Sequence, residues 1–305
     1  MKDYARRFLS KEQVQARIAE AAQKGLPFAL TRIGNGEAEV LSHDILVPAT
    51  RVGSWVGYAG APRLPDYRAR DELIDAILGA DIVGLSDEYK WDCAPLIEKI
   101  CEILDLRPEH ICSARVNWHL HEDGSLYEAL GGKRTVVVGR RAAEAVDGLI
   151  DRGVNVVGTC SLEGWTEMND AYLGLRRRRK EFDIALIAAG IPATVLSVRV
   201  ARYLGKVAID YGHVIDDVIE PGFGVQKLDA TKDRWEVGMK KALESVHYPD
   251  GALIQGAGPK IYLVIDARKR HITTPHIFRA LGLNGHRIMK VSQQELDLIP
   301  SGPPI

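Results

Sequence analysis

Apolar runs that end at glycine alternate with stretches of helical periodicity along most of the chain. PFALTRIG (27–34) reads as a strand, and before it Ser10 opens a helical pattern, KEQVQARIAEAAQKG, that stops at Gly25. Residues 66–79 (DYRARDELIDAILG) read as a helix, DIVGLS (81–86) as a strand, 92–105 as a helix and HICSARV (110–116) as a short strand. The second half repeats the alternation more sharply. KRTVVVG (133–139), VNVVGT (154–159), FDIALIAAG (182–190) and KVAIDYG (206–212) read as strands. Between them RAAEAVDGLIDRG, residues 165–180 and IPATVLSVRVARYLG read as helices, the last with proline in its first turn and glycine at its end. Alternation at this spacing predicts an α/β fold: a Rossmann-like, doubly wound, mainly parallel sheet.

Residues 214–250 are mixed, with a helix expected near 232–246. From Gly251 the pattern changes to a Gly/Pro-rich start, a strand pair around DARKRH, a small helix after Thr273-Thr274-Pro275 and a Pro-rich stop. The expected organisation is therefore one large domain over 1–250 and a small α+β module over 251–305.

Composition narrows the function. With 46% apolar residues in 305, a full core is expected and disorder is not. A net charge of −1, from 40 basic and 41 acidic residues, gives no general attraction to nucleic acid or anionic membranes. Any phosphate recognition must be local. The N-terminus MKDYARRFLSKEQVQARIAE has no apolar signal core, and no run approaches the ~20 apolar residues of a membrane helix. Cys93, Cys101, Cys112 and Cys160 form no C-x-x-C pair, so neither a zinc site nor a disulfide framework is expected. The cytoplasm is the expected compartment, with the inner membrane face as a peripheral alternative.

In an open α/β sheet, ligands bind outside the carboxyl ends of the strands. The candidates there are Arg32, Gly34, Asn35, Gly36, Glu37 and Glu39 after the first strand, and Asn117, His119, His121 and Glu122 after HICSAR. Arg140 and Arg141 follow TVVVG, Gly190, Ala193 and Thr194 follow ALIAA, and Asp210 and His213 lie at the end of VAID. AAGIPAT has the form of an anion site, with a glycine for close approach and a helix N-terminus behind it. Asn35 and Glu37, two apart in an extended loop, would face the same way, with Gly36 leaving room for a ligand. Such a pair could hold a hard divalent cation or hydrogen-bond a sugar hydroxyl. RRRRK (176–180) ends a helix, where positive charge is favoured. No P-loop, G-x-S-x-G, H-E-x-x-H or complete G-x-G-x-x-G is present.

Three stretches, in order, resemble a known family. FALTRIGNGEAEVL resembles the Arg-Phe-Gly-Asp-Gly-Glu segment of the GT-D-fold glycosyltransferases. LIAAGIPATVLSVRVARYLGKVAIDYGHVID resembles their Leu-Gly-Pro-Thr-Ala-Thr-Val-Leu stretch with its following Asp-Ile-Gly-His, and GGKRTVVVGRR resembles the strand before their nucleotide site. The resemblance implies transfer of a sugar, a hexose, from a UDP-sugar donor to a glycan or glycoprotein acceptor, with a divalent metal, usually manganese. It places the Asp-x-Glu motif on Asn35 and Glu37, a neutral ligand replacing a carboxylate, with Asp210 or His213 as helpers. It implies Glu37, Asn35 and His213 as catalytic residues. Arg32, Gly34, Gly36, Arg140, Gly190, Ala193, Thr194 and Asp210 would bind the nucleotide sugar, and Asn117 and His119 would face the acceptor. Base candidates are Glu37, Glu39, His119 and His213. The tail from Gly251 resembles a short unit attached to assorted bacterial surface and envelope proteins, which adds a cell-envelope glycan to the picture. A homodimer is left open. The rivals are a non-catalytic nucleotide- or glycan-binding protein, which Asn35 favours, and a methyltransferase, against which Gly158-Thr159-Cys160 argues by offering no acidic ribose ligand.

Overall fold

A computed structural model describes residues 8–46, 57, 59–86, 94–222, 248, 250–266 and 268–305. The helix expected near 232–246, with Cys93 and the start of the helix expected from 92, lies outside the described residues. Eight strands form one parallel sheet: β1 (Phe8–Leu9), β2 (Phe28–Ile33), β3 (Ile82–Leu85), β4 (Ile111–Ser113), β5 (Thr135–Gly139), β6 (Val156–Cys160), β7 (Ile184–Ala188) and β8 (Val207–Asp210). Their order is β1-β4-β3-β2-β8-β7-β5-β6. The chain winds one way from β2 through β3 to β4, then crosses to build β5 to β8 on the other side. The reversal makes β2 and β8 neighbours, in register from Phe28 opposite Val207 to Leu30 opposite Ile209.

Helices cover both faces. One layer holds α1 (Lys11–Lys24), α5 (Val116–Glu122), α6 (Ser125–Leu130), α7 (Val146–Asp151) and α10 (Val214–Ile219). The other holds α2 (Asn35–Ser42), α3 (Tyr67–Gly79), α4 (Ala94–Ile103), α8 (Met168–Arg177) and α9 (Ile191–Leu204). A sheet buried on both faces needs apolar residues at successive positions, which is why its strands read as unbroken runs. In β2, Phe28 and Leu30 enter one core and Ala29 and Ile33 the other.

The helix ends follow the local signals. Ser10 and Gln13 form a reciprocal cap on α1, and Gly25 closes it in the left-handed conformation. α9 carries proline in its first turn and ends at Gly205. The helix expected over 165–180 begins as a 3-10 turn, Trp165–Glu167, before α8. β1, α5 and α6 are too short to show a period in the sequence.

Behind α3 and α4 lies a second, four-stranded sheet of order β11-β10-β9-β12, built from β9 (Leu253–Gln255), β10 (Ile261–Ile265), β11 (Arg268–His271) and β12 (Ile288–Lys290). The strand pair expected around DARKRH is the antiparallel β10–β11 pair, and Thr274 caps the small helix α11 (Pro275–Ala280). One face of this sheet, with Ile254, Val264 and Met289, joins the large core. Its other face, with Leu253 and Leu263, has a small core of its own. Lys99–Glu295 at 3.0 Å and Arg287 Nε–Asp71 at 2.8 Å tie it to α4 and α3. No described helix is long and apolar enough to cross a membrane.

Candidate functional site

The winding reversal brings Arg32 of β2 and Asp210 of β8 together near the carboxyl ends of their strands. Arg32 Nη2 donates to Asp210 Oδ1 at 2.8 Å, and Arg32 Nη1 donates to the Ala114 carbonyl at 3.3 Å. Asp210 is 2% exposed, and burial pushes its carboxyl above the usual range although Arg32 offsets part of the effect. Two glycines make room for the guanidinium. A Cβ on Gly84 would lie 2.9 Å from Arg32 Cγ, and one on Gly212 would overlap Nη2.

Glu37 sits beside this pair, in the first turn of α2. Here the structure corrects the sequence reading. Asn35-Gly36-Glu37 is helical, not extended. At ~100° per residue, positions 35 and 37 lie on opposite sides of a turn and do not face one ligand. Gly34 precedes the helix in an extended conformation, and Glu37, three residues on, folds back to accept its N–H at 2.9 Å. This is half of a capping box. The Thr194 hydroxyl donates chiefly to the Arg32 carbonyl at 3.1 Å and lies 3.4 Å from the second Glu37 oxygen. Burial, then the nearby Asp210, push the Glu37 carboxyl up to about 7. Gly36 does not leave space for a ligand either. A Cβ there would lie 2.7 Å from Ile191 Cγ1, so it permits α2 to pack on the start of α9.

The expected anion site at AAGIPAT is also filled. The Ile191 N–H donates to the Ala59 carbonyl at 2.9 Å, Pro192 has no N–H, and the Ala193 N–H donates to the Gly190 carbonyl at 2.9 Å. Ala193 and Thr194 are fully buried. Gly190 has φ +61, and a Cβ would overlap the Ala59 carbonyl oxygen. The positive end of α9 therefore meets Glu37 and the segment at 59–60, and Gly190 alone of these residues is exposed at the mouth.

The remaining candidates divide. Arg140, beyond the end of β5, is exposed. His213, 54% exposed at its side chain, donates its Nδ1–H to Asp216 Oδ2, 2.8 Å away. Asp216 also accepts Arg141 Nη1 at 2.7 Å. Asn117 is not turned to an acceptor: it is 1% exposed, and its amide donates to the Tyr211 carbonyl at 2.7 Å, fixing the end of β8. His119 is exposed on α5. His121, a candidate beside His119, is buried in a chain of contacts: Asp217 Oδ2 at 3.0 Å, Tyr127 Oη at 2.5 Å, and from there Tyr211 Oη at 2.8 Å. This chain borders an open cavity of about 840 Å³ in the α5–α6–α7–α10 layer, with Glu122, Glu128 and Arg152 on its rim. The cavity does not include Glu37 or Asp210.

The divalent cation implied by the resemblance fits these residues poorly. Asn35 and Glu37 diverge, both Glu37 oxygens are engaged, and Asp210 is paired with a guanidinium. Among the described residues no three His, Cys, Asp or Glu side chains are grouped to hold a metal ion.

A family model, the GT-D fold-like domain, matches residues 9–218. Two solved structures of the domain of unknown function 1792 are similar. One, selenomethionine-substituted, is 15% identical at a TM-score of 0.46, over 76% of this chain and 94% of that chain. The other, described as a highly conserved domain with a distinct glycosyltransferase fold, is 17% identical at a TM-score of 0.47, again over 76% and 94%. No curated protein matches the sequence.

Proposed function

The chain belongs to the family of GT-D fold-like domains, and from that premise we propose that it is a glycosyltransferase, moving a hexose from a UDP-sugar to a glycan or glycoprotein acceptor. The observation that carries the proposal is the part-buried Arg32–Asp210 pair beside Glu37, at the crevice where the sheet reverses its winding. A paired cation and a carboxyl at elevated pKa in that position are a functional arrangement more than a stabilising one.

The donor diphosphate lies over the exposed mouth, between Gly34, Gly190 and Gly212, within reach of Arg32 and of Arg140. When the bond from the anomeric carbon to the diphosphate breaks, negative charge grows on the leaving oxygen. Fixed positive groups aimed there stabilise it most. The acceptor hydroxyl forms the new bond and gives up its proton. His213 is the proposed base, because Asp216 holds its Nδ1 and leaves Nε2 for the acceptor. Glu37 acts through others: it holds the Gly34 amide and Thr194 in place.

The rival is a nucleotide-sugar- or glycan-binding protein without turnover. Calorimetric titration of UDP, UDP-glucose and UDP-N-acetylglucosamine tests the donor. Binding of at least one, weakened in Arg32→Gln, is the expected result. No binding of any uridine nucleotide would remove the donor assignment.

A further inference from the structure

Arg32 has properties that a purely structural ion pair does not need. Its guanidinium has five N–H groups, and among the described residues two are used, for Asp210 and the Ala114 carbonyl. The Nε–H is buried and has no partner among the described residues. The side chain nevertheless keeps 19% of its surface open to solvent, against 3% for Asp210. Gly84 and Gly212 shape a cradle that any Cβ would fill, so the chain gives up a side chain on β3 and another just past the end of β8 to seat this one group. The result is a fixed, partly exposed cation at the crevice, with a second N–H on each of Nη1 and Nη2 to offer a ligand.

Among the described residues, those that would compete with it for the same charge role do not assemble. A cation bound by Glu37 would have to displace the Gly34 N–H or the Thr194 hydroxyl, and one bound by Asp210 would have to displace Arg32. A metal ion beside an unmoved guanidinium would face like-charge repulsion. Guanidinium and divalent cation are alternative solutions to one problem, the neutralisation of diphosphate oxygens, and a guanidinium adds bidentate geometry.

We propose that Arg32, anchored by Asp210, replaces the divalent cation of this site: its guanidinium receives the diphosphate oxygens of the ligand, and binding is metal-independent. The proposal deepens the glycosyltransferase reading and rests on it for the ligand's nucleotide part.

The test is calorimetry of UDP and of inorganic pyrophosphate in EDTA, together with electron paramagnetic resonance of Mn2+ added to the protein alone. The expected result has three parts. UDP and pyrophosphate bind in EDTA, Arg32→Gln weakens both at least tenfold, and the protein alone retains no Mn2+. Arg32→Lys, which keeps a positive charge against Asp210, covers the case in which Arg32→Gln does not fold. It binds more weakly than wild type because the fork is lost. Pyrophosphate binding without UDP binding would uphold Arg32 as the anion site and sink the uridine donor. Failure of both ligands to bind in EDTA would overturn the proposal. So would Mn2+ retention that Glu37→Gln abolishes.

Discussion

Replacing Glu37 by glutamine should make the protein more stable, by an amount that depends on pH. Glu37 is 7% exposed. Its carboxyl is held at about 7, against an ordinary 4.5 in the unfolded chain. Between those values the folded protein keeps a proton that the unfolded chain has released. Stability therefore falls as pH rises from 4.5 to 7, and stays flat above. The full loss is about 3 kcal/mol. Glutamine never ionises. Its oxygen still accepts the Gly34 N–H, and its amide can donate to Thr194 Oγ1 in place of the bond now made at 3.4 Å. What it gives up is attraction between the ionised carboxylate and Arg32. The net gain should be about 1–3 kcal/mol near pH 8 and close to nothing near pH 4.5. Urea denaturation of both proteins at the two pH values measures this. A difference that does not change with pH, or a loss of stability near pH 8, would refute the electrostatic account of the site.

Acid should act through a second group with the opposite sign. His43 is fully buried; its Nδ1 lies 2.6 Å from the Val40 carbonyl, and its Nε2 accepts the Asp66 N–H at 3.2 Å. Burial, then Arg70, push it down to about 4, so stability should fall by up to about 3 kcal/mol as pH drops from 6.5 to 4; in His43→Asn this acid limb of the denaturation curve should flatten. Gly190→Ala should cost about 2–4 kcal/mol in thermal or urea melts, because φ is +61 and the methyl overlaps the Ala59 carbonyl. A cost under about 0.5 kcal/mol would mean that the 59–60 segment does not cap α9. Asn35→Asp restores an acidic pair in sequence but not in space, so paramagnetic resonance should detect no new Mn2+ site; a site that appears would show that positions 35 and 37 can converge.

The frame of the fold was legible because both faces of the sheet are buried. β2, β5, β7 and β8 show as apolar runs that stop at glycine, and α1 and α9 announce both ends. The site was legible only in part. Arg32 and Asp210 stand at strand ends, where position alone marks them. Asn35-Gly36-Glu37 reads as an extended loop in the sequence but starts a helix, with Glu37 folding back on Gly34 as in a capping box. The occupied N-terminus of α9 was beyond reach. Ala59 and Gly60 are more than a hundred residues from Ile191, and nothing in AAGIPAT tells that its amides are spoken for. Asn117 misled for the same reason: a polar residue after a strand suits a ligand equally well or, as here, the carbonyl of Tyr211.

The most direct test of the central claim is release of UDP from a panel of UDP-hexoses by the purified protein in EDTA, with and without a glycan acceptor. The account predicts UDP release from at least one donor, faster with acceptor and at least 100-fold slower in Arg32→Gln. Donors that bind and are never turned over, with or without Mn2+, would contradict it and leave a binding protein on a glycosyltransferase fold.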